Sequence, residues 1–233
     1  MSYKRIVIKI SGEALAAEKK TGFDFGFVSS VCAAVKKAAD AGVQVGIVIG
    51  GGNFWRGVKD GAGKVERVSA DRMGMLATCM NCLAVCDVFR QLGAKARVLT
   101  AVDIQGVGER YDTRKALEYL ENGEIVLFAG GTGAPFFSTD TAAVLRAAEI
   151  HADAILLAKN VDGVYSADPR KDPEAVRFDR ISYDEVLARR LQVMDSTATS
   201  LAMDNNIPVL VFALSGENIL RVLDGEAVGT LVQ

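Results

Sequence analysis

Short β-branched, aliphatic runs alternate with longer amphipathic segments from one end of this chain to the other, and that alternation leaves few architectures open. The runs at 5–10, 43–49, 96–99, 124–129, 154–158 and 208–213 predict buried, mainly parallel strands. Between them, apolar spacing predicts helices over 25–41, 69–92, 113–121, 139–150, 183–190, 196–205 and 217–223. Strands and helices in that order build an α/β fold whose central sheet is covered on both faces. Asp24, Ser69, Ser138 and Asp195 are residue types that cap helix N-termini, and Gly42 and Gly93 stand where helices should stop. The segment "VDGVYSADPRKDPEAVRFDRISYDE" breaks the rhythm with Asp-Gly and Asp-Pro pairs. It predicts an irregular excursion with a hairpin on the side of the strands' carboxyl ends.

Half of the 233 residues are hydrophobic, and no repeat, linker or low-complexity stretch divides them, so one domain over 1–233 is expected. A net charge of -2 without a long basic run argues against nucleic acid as the main partner, and a small anionic substrate fits better. No apolar run approaches the length of a membrane span, and "MSYKRIVIKI" opens on charges followed by an alternating strand rather than a signal peptide. A cytoplasmic protein without a membrane partner is expected. Three of the four cysteines, Cys79, Cys82 and Cys86, are spaced i, i+3, i+7 in "CMNCLAVC". That spacing puts them on one apolar helix face with Met75 and Leu83, packed against a core or subunit interface rather than holding zinc. The lone histidine, His151, rules out a His-rich metal site or a Ser-His-Asp triad.

Four of the expected strands run into "KISGEA", "GGGNFWRG", "GGTGAPFFSTD" and "AKNVDGVYSADP". Ligands of open α/β sheets bind outside the carboxyl ends of the strands, and glycines there open backbone N–H groups to phosphate oxygens. Three consecutive glycines cost conformational entropy on ordering, so something has to come close to that backbone. Neither G-x-x-x-x-G-K-[ST] nor G-x-G-x-x-G occurs. Lys9 ends the first run, followed by Ser11 and Gly12. A strand-end lysine alone reads as a solvated edge charge; beside glycine loops it reads as an ammonium placed for a phosphoryl oxygen.

Together, "KISGEAL", "GGGNFWRG", "DRMGMLATCMN", "GTGAPFFSTDTAAVLRAAEI", "VDGVYSADPRKDP" and "VMDSTA" resemble the bacterial uridylate kinases of the amino acid kinase family, in order and at matching spacing. The resemblance implies a three-layer αβα sandwich and transfer of the γ-phosphoryl group of ATP to UMP in pyrimidine nucleotide biosynthesis. It also implies Mg²⁺ on the nucleotide phosphates and a homohexamer built from dimers, with GTP activating and UTP inhibiting. On this resemblance Lys9, Ile10, Ser11, Gly12 and Gly52 surround the ATP phosphates, Gly51 approaches UMP, and Arg56 lies near the phosphates. Asp71 matches the acid that binds the UMP ribose, with helix N-terminal charge as its rival role. Thr132, Gly133, Ala134, Pro135, Phe136, Phe137, Ser138 and Thr139 match the UMP-binding loop. Asp140 organises the site or its Mg²⁺, or only caps a first helical turn, and joins Lys9 and Arg56 as a catalytic candidate. Tyr165 and Asp168 match adenosine-binding positions, with Lys159 or Asn160 as the contact before them. Asp162 and Asp195 read first as turn and N-cap residues.

Phosphoryl transfer asks a protein for positioning and positive charge, and a phosphate acceptor already ionised at neutral pH needs no general base. The chain departs from the family pattern in two places: Ala134 stands where relatives commonly carry asparagine, and "AAEKKTGFD" differs from the GTP-responsive segment in length and composition. Two readings compete. One is a relative that phosphorylates a carboxylate or carbamate, which would need a cation and no ribose-binding acid in its acceptor pocket. The other is a non-catalytic nucleotide-binding protein on the same fold, against which Lys9 argues.

Overall fold

The computed structural model describes residues 3–56, 63–191 and 193–233. The strands are β1 (Arg5–Ile10), β2 (Gln44–Ile49), β3 (Ala96–Thr100), β4 (Glu109–Arg110), β5 (Ile125–Ala129), β6 (Ala154–Lys159), β7 (Val164–Tyr165), β8 (Arg177–Phe178), β9 (Arg180–Ile181), β10 (Val209–Ala213) and β11 (Thr230–Val232). The helices are α1 (Gly12–Ala16), α2 (Phe25–Asp40), α3 (Arg67–Gln91), α4 (Thr113–Glu121), α5 (Thr139–Glu149), α6 (Tyr183–Ala188), α7 (Ser196–Asp204) and α8 (Gly216–Leu223). Nine strands form one sheet in the order β4-β3-β5-β2-β1-β6-β10-β11-β9. Only β10 and β11 pair antiparallel within it, and β7 and β8 make the separate hairpin expected in the 161–185 excursion.

The strand runs are aliphatic throughout because both sheet faces are buried. Ile6, Ile8, Ile10, Ile47 and Leu127 face a layer containing α2, α3 and α8, while Val7, Val48, Val126 and Leu157 face α4, α5 and α7. The three-layer αβα arrangement and mainly parallel sheet are therefore those expected. Element ends fall within one or two residues of the sequence reading. Asp24 accepts from Phe27 N at 3.0 Å, and Gly42 and Gly93 close their helices with φ of +93° and +79°. Ser69, expected as an N-cap, instead lies inside α3, which begins at Arg67. The short α1 and β11 and the two-residue strands carry too little pattern to be read from sequence.

Helix α3 corrects two expectations. By length and composition it is apolar enough to cross a membrane, although 56 % of its most apolar window is buried inside the fold, where a core helix needs such residues. Cys79, Cys82, Cys86 and Met75 pack inward as expected, but Leu83 does not. It lies on the outer face with Met73, Leu76 and Met80, which recur at helical spacing and are all exposed.

Two glycines test how backbone space and backbone conformation contribute to stability. At Gly42 a Cβ would meet nothing, so Gly42→Ala carries only the left-handed backbone cost of about 1 kcal/mol. At Gly229, with φ +79°, a Cβ would overlap the Val211 carbonyl oxygen and come within 2.9 Å of Phe212 Cβ, both held by β10. Gly229→Ala is expected to lose at least about 3 kcal/mol. Urea unfolding of both variants checks this, and equal losses would show that the β10–β11 edge yields freely.

Candidate active site

Strands β1, β2, β5 and β6 lie side by side in the sheet and deliver their carboxyl ends to one crevice. Residue alternation decides which side chains enter it. Lys9 shares the sheet face of Val7, and Lys159, on the neighbouring strand, shares that of Leu157. That is the face of α5. Its first turn brings Asp140 to Lys9, with Nζ and Oδ1 2.5 Å apart and both side chains largely buried. Asp140 Oδ1 makes this ion pair but accepts no well-aligned hydrogen bond.

The glycine loops meet backbone to backbone. Gly50 N donates to Ile10 O at 2.9 Å. A Cβ on Gly12 would overlap Gly50 O and lie 2.8 Å from Gly52 N, and one on Gly51 would lie 2.9 Å from both Gly74 O and Ala77 Cβ of α3. Glycine is required at these positions by space alone. Ser11 is the N-cap position of α1 but makes no side-chain cap bond. Arg56 forms an ion pair with Glu13, whose side chain lies beside Gly52.

The loop after β5 is fastened at both ends. Gly130 N donates to Thr78 Oγ1 of α3 at 2.9 Å, and Phe136 N donates to Asp71 Oδ2 at 2.8 Å. Asp71 also receives Arg67 Nε at 2.9 and 2.8 Å. It sits in the second turn of α3, so a helix N-terminal charge is not its role. Thr132 Oγ1 lies 3.2 Å from both Ala134 N and Ala134 O, so the loop closes on itself without the family asparagine. Gly133 backs onto Ala101 O, Phe136 takes a left-handed φ of +72°, and Phe136 and Phe137 remain exposed at the rim after the half-buried Pro135. Ser138 caps α5 through Asp140 N and Thr141 N and donates to Asp195. Asp195 in turn caps α7 at Ala198 N, as expected.

Three cavities open around this centre. One of about 120 Å³ gathers Gly51, Asp71, Thr132, Ala134, Phe137 and Thr139, with Trp55 as a wall. Another, of about 440 Å³, lies beside Asp140 and Lys159 under Val186, Leu191 and Met194. The third, of about 350 Å³, is lined by Tyr165, Asp168, Arg170 and Arg190. Asn160 is exposed and lines none of the three. Asp162 accepts from Tyr165 OH at 2.7 Å and from Arg177 at 3.2 Å. The sequence reading missed Glu13, Trp55, Thr78 and Asn81. The last two were visible as polar residues three apart on the apolar face of a long helix.

Lys159 donates to the Val193 carbonyl, and burial lowers its pKa from the usual 10.5; Asp140 opposes that shift and Lys9 adds to it.

A profile of the amino acid kinase family matches residues 4–213. The structure of UMP kinase from Bacillus anthracis superposes with a TM-score of 0.95 at 38 % identity, covering 100 % of this chain and 97 % of that one. That of UMP kinase from Ureaplasma parvum gives 0.93 at 36 %, covering 100 % of both chains. The uridylate kinase from Archaeoglobus fulgidus gives 0.75 at 28 %, covering 98 % of this chain and 99 % of that one.

Lys159 yields a pH prediction. Its folded pKa lies below its unfolded one, so between the two values the unfolded chain binds more protons and stability rises with pH on its account. Below that window the contribution is flat. Wild type should therefore gain stability relative to Lys159→Met as pH rises towards 10.5. Urea unfolding of the pair from pH 7 to 10 measures the difference, and a constant difference would remove the buried charge from the account.

Proposed function

The chain belongs to the amino acid kinase family, and from that membership we propose that it is a UMP kinase, moving the γ-phosphoryl group of ATP to UMP to give ADP and UDP. The observation that carries this reading is the likeness to UMP kinases over the whole chain. The geometry supports it: a buried Lys9–Asp140 pair stands where glycine loops meet, Thr139 beside it lines the small Asp71 pocket, and Asp140 lines the larger cavity that shares Arg190 and Leu191 with the Tyr165 cavity.

In this reading ATP lays its phosphates along Lys9, Ile10, Ser11, Gly12 and Gly52, with Arg56 beside them and adenosine against Tyr165 and Asp168. Of the two candidates upstream, Lys159 is turned towards Asp140 and the phosphates, whereas Asn160 is exposed. UMP occupies the pocket of Gly51, Asp71 and Thr132 to Thr139, its ribose on the Asp71 carboxylate. Its ionised phosphate oxygen attacks the γ-phosphorus in line as the bond to the ADP oxygen breaks. Charge gathering on the equatorial oxygens is met by the Lys9 ammonium and by backbone N–H groups of the glycine loops. Lys159 adds positive charge from the neighbouring strand.

Magnesium supplies charge neutralisation and alignment of the phosphates when bound. In this reading the cation is held mainly by the nucleotide phosphates. Asp140, whose Oδ1 has no aligned hydrogen-bond partner, is the side chain that fits it. The same reading includes cytoplasmic pyrimidine nucleotide biosynthesis, GTP activation, UTP inhibition and a homohexamer. The exposed apolar stripe of α3 supports subunit contact.

An assay of ADP formation with ATP, Mg²⁺ and each nucleoside monophosphate tests the proposal. UMP should be the preferred acceptor; equal turnover of AMP or GMP, or none of UMP, overturns it.

Lys9→Ala should lower kcat about a hundredfold, roughly 3 kcal/mol, with a much smaller change in ATP binding. Steady-state kinetics and nucleotide titration measure the two, and a folded variant with wild-type kcat refutes the role.

A further inference from the structure

Asn53 and Asn81 form a buried reciprocal amide pair, 1 % and 0 % exposed, directly beneath the glycine loop. Asn53 Nδ2 donates to Asn81 Oδ1 at 2.9 Å and to Gly22 O at 2.9 Å. Asn81 Nδ2 donates to Asn53 Oδ1 at 2.8 Å and to Gly50 O at 2.7 Å. All four amide protons are used, and each side-chain oxygen accepts one bond. Asn53 Oδ1 also lies 2.7 Å from where a Gly12 Cβ would stand, so the pair abuts both glycine loops. The backbone of Asn53 closes the link from the other side, with Gly22 N donating to its carbonyl at 3.3 Å.

The bond to Gly50 O matters because of peptide geometry. In a trans peptide the C=O and the following N–H point in opposite directions. Anchoring the Gly50 carbonyl on Asn81 therefore turns the Gly51 N–H away from that anchor. Without Asn81 the Gly50–Gly51 peptide is free to rotate, since glycine offers little steric resistance. A loop that can rotate its donors presents them in the productive orientation only part of the time.

We propose that the Asn53–Asn81 pair is a positioning device for phosphoryl transfer: Asn81 fixes the orientation of the Gly50–Gly51 peptide, and Asn53 locks that loop to Gly12 and Gly22. Neither side chain touches substrate. The inference rests on the kinase reading, because it assigns the oriented N–H groups to the transferring phosphoryl group.

Asn81→Ala and Asn53→Ala separate positioning from simple fastening. Asn81→Ala frees the Gly50 carbonyl and should lower kcat at least tenfold, while KM for ATP and UMP each move less than threefold. Asn53→Ala leaves the Asn81 bond to Gly50 in place, so its kcat should fall several times less. Gly42→Ala, remote from the crevice, serves as a destabilised control with wild-type kcat. All rates are taken per folded molecule, with folding followed by circular dichroism. If Asn81→Ala does not fold, the near-isosteric Asn81→Leu, which fills the space but also loses both amide donations, is measured instead with the same expectation. Wild-type turnover of UMP in the same assay tests the kinase reading separately. With that turnover present, an unchanged kcat in Asn81→Ala or its substitute, or losses that follow melting temperature alone, overturns the positioning role.

Discussion

The site depends on backbones packed directly against each other. Gly12 presses on Gly50 and Gly52, and Gly51 presses on the carbonyl of Gly74 in α3, with no space at these contacts for a side chain. That closeness joins the ends of β1 and β2 to the pillar helix. Helix α3 then holds the β2 loop through Asn81 and the β5 loop through Thr78. Those two anchors lie one helical turn apart. A rigid helix thus sets the distance between the groups assigned here to the two phosphoryl partners, which transfer chemistry demands more than it demands reactive side chains.

Charge at the centre follows from strand alternation. Lys9 and Lys159 project to the same face because each continues the inward phase of its strand, and α5 places one carboxylate among them. Two ammonium groups thus flank one acid at the ends of neighbouring strands, and the Asp195 carboxylate lies close by on Ser138 and Thr141. The ion pair with Asp140 holds the Lys9 ammonium in one place at the end of β1.

The elements most legible in sequence were those with a strong period. The strand at 5–10 and the helix at 113–121 have the observed bounds, since aliphatic runs and amphipathic spacing directly report burial. Leu83 was misplaced because α3 carries apolar residues on two faces, and hydrophobicity does not say which one meets the core. That the glycine loops converge near Lys9 was legible from the strand ends, while the reading of that place as a phosphate site, and its partners, rested on glycine chemistry and family resemblance. The amide pair was not. Asn53 and Asn81 lie 28 residues apart and act through backbone carbonyls, a contact that only the folded chain defines. The Asp71 bond to Phe136 N was hidden for the same reason.

The four thiols carry a consequence outside catalysis. Cys32, Cys79, Cys82 and Cys86 are all buried, and desolvation raises every one of their pKa values, that of Cys32 to about 12. A thiol reacts with an alkylating reagent as its thiolate, so these must reach water before they can be modified. None of them lines the three cavities of the candidate site. Three ride on α3 and one on α2, which makes their alkylation a clock for transient openings of that helical layer, much as amide exchange is for backbone hydrogen bonds. The slowest thiol would time the rarest breathing motion of the helix from which the β2 and β5 loops are hung.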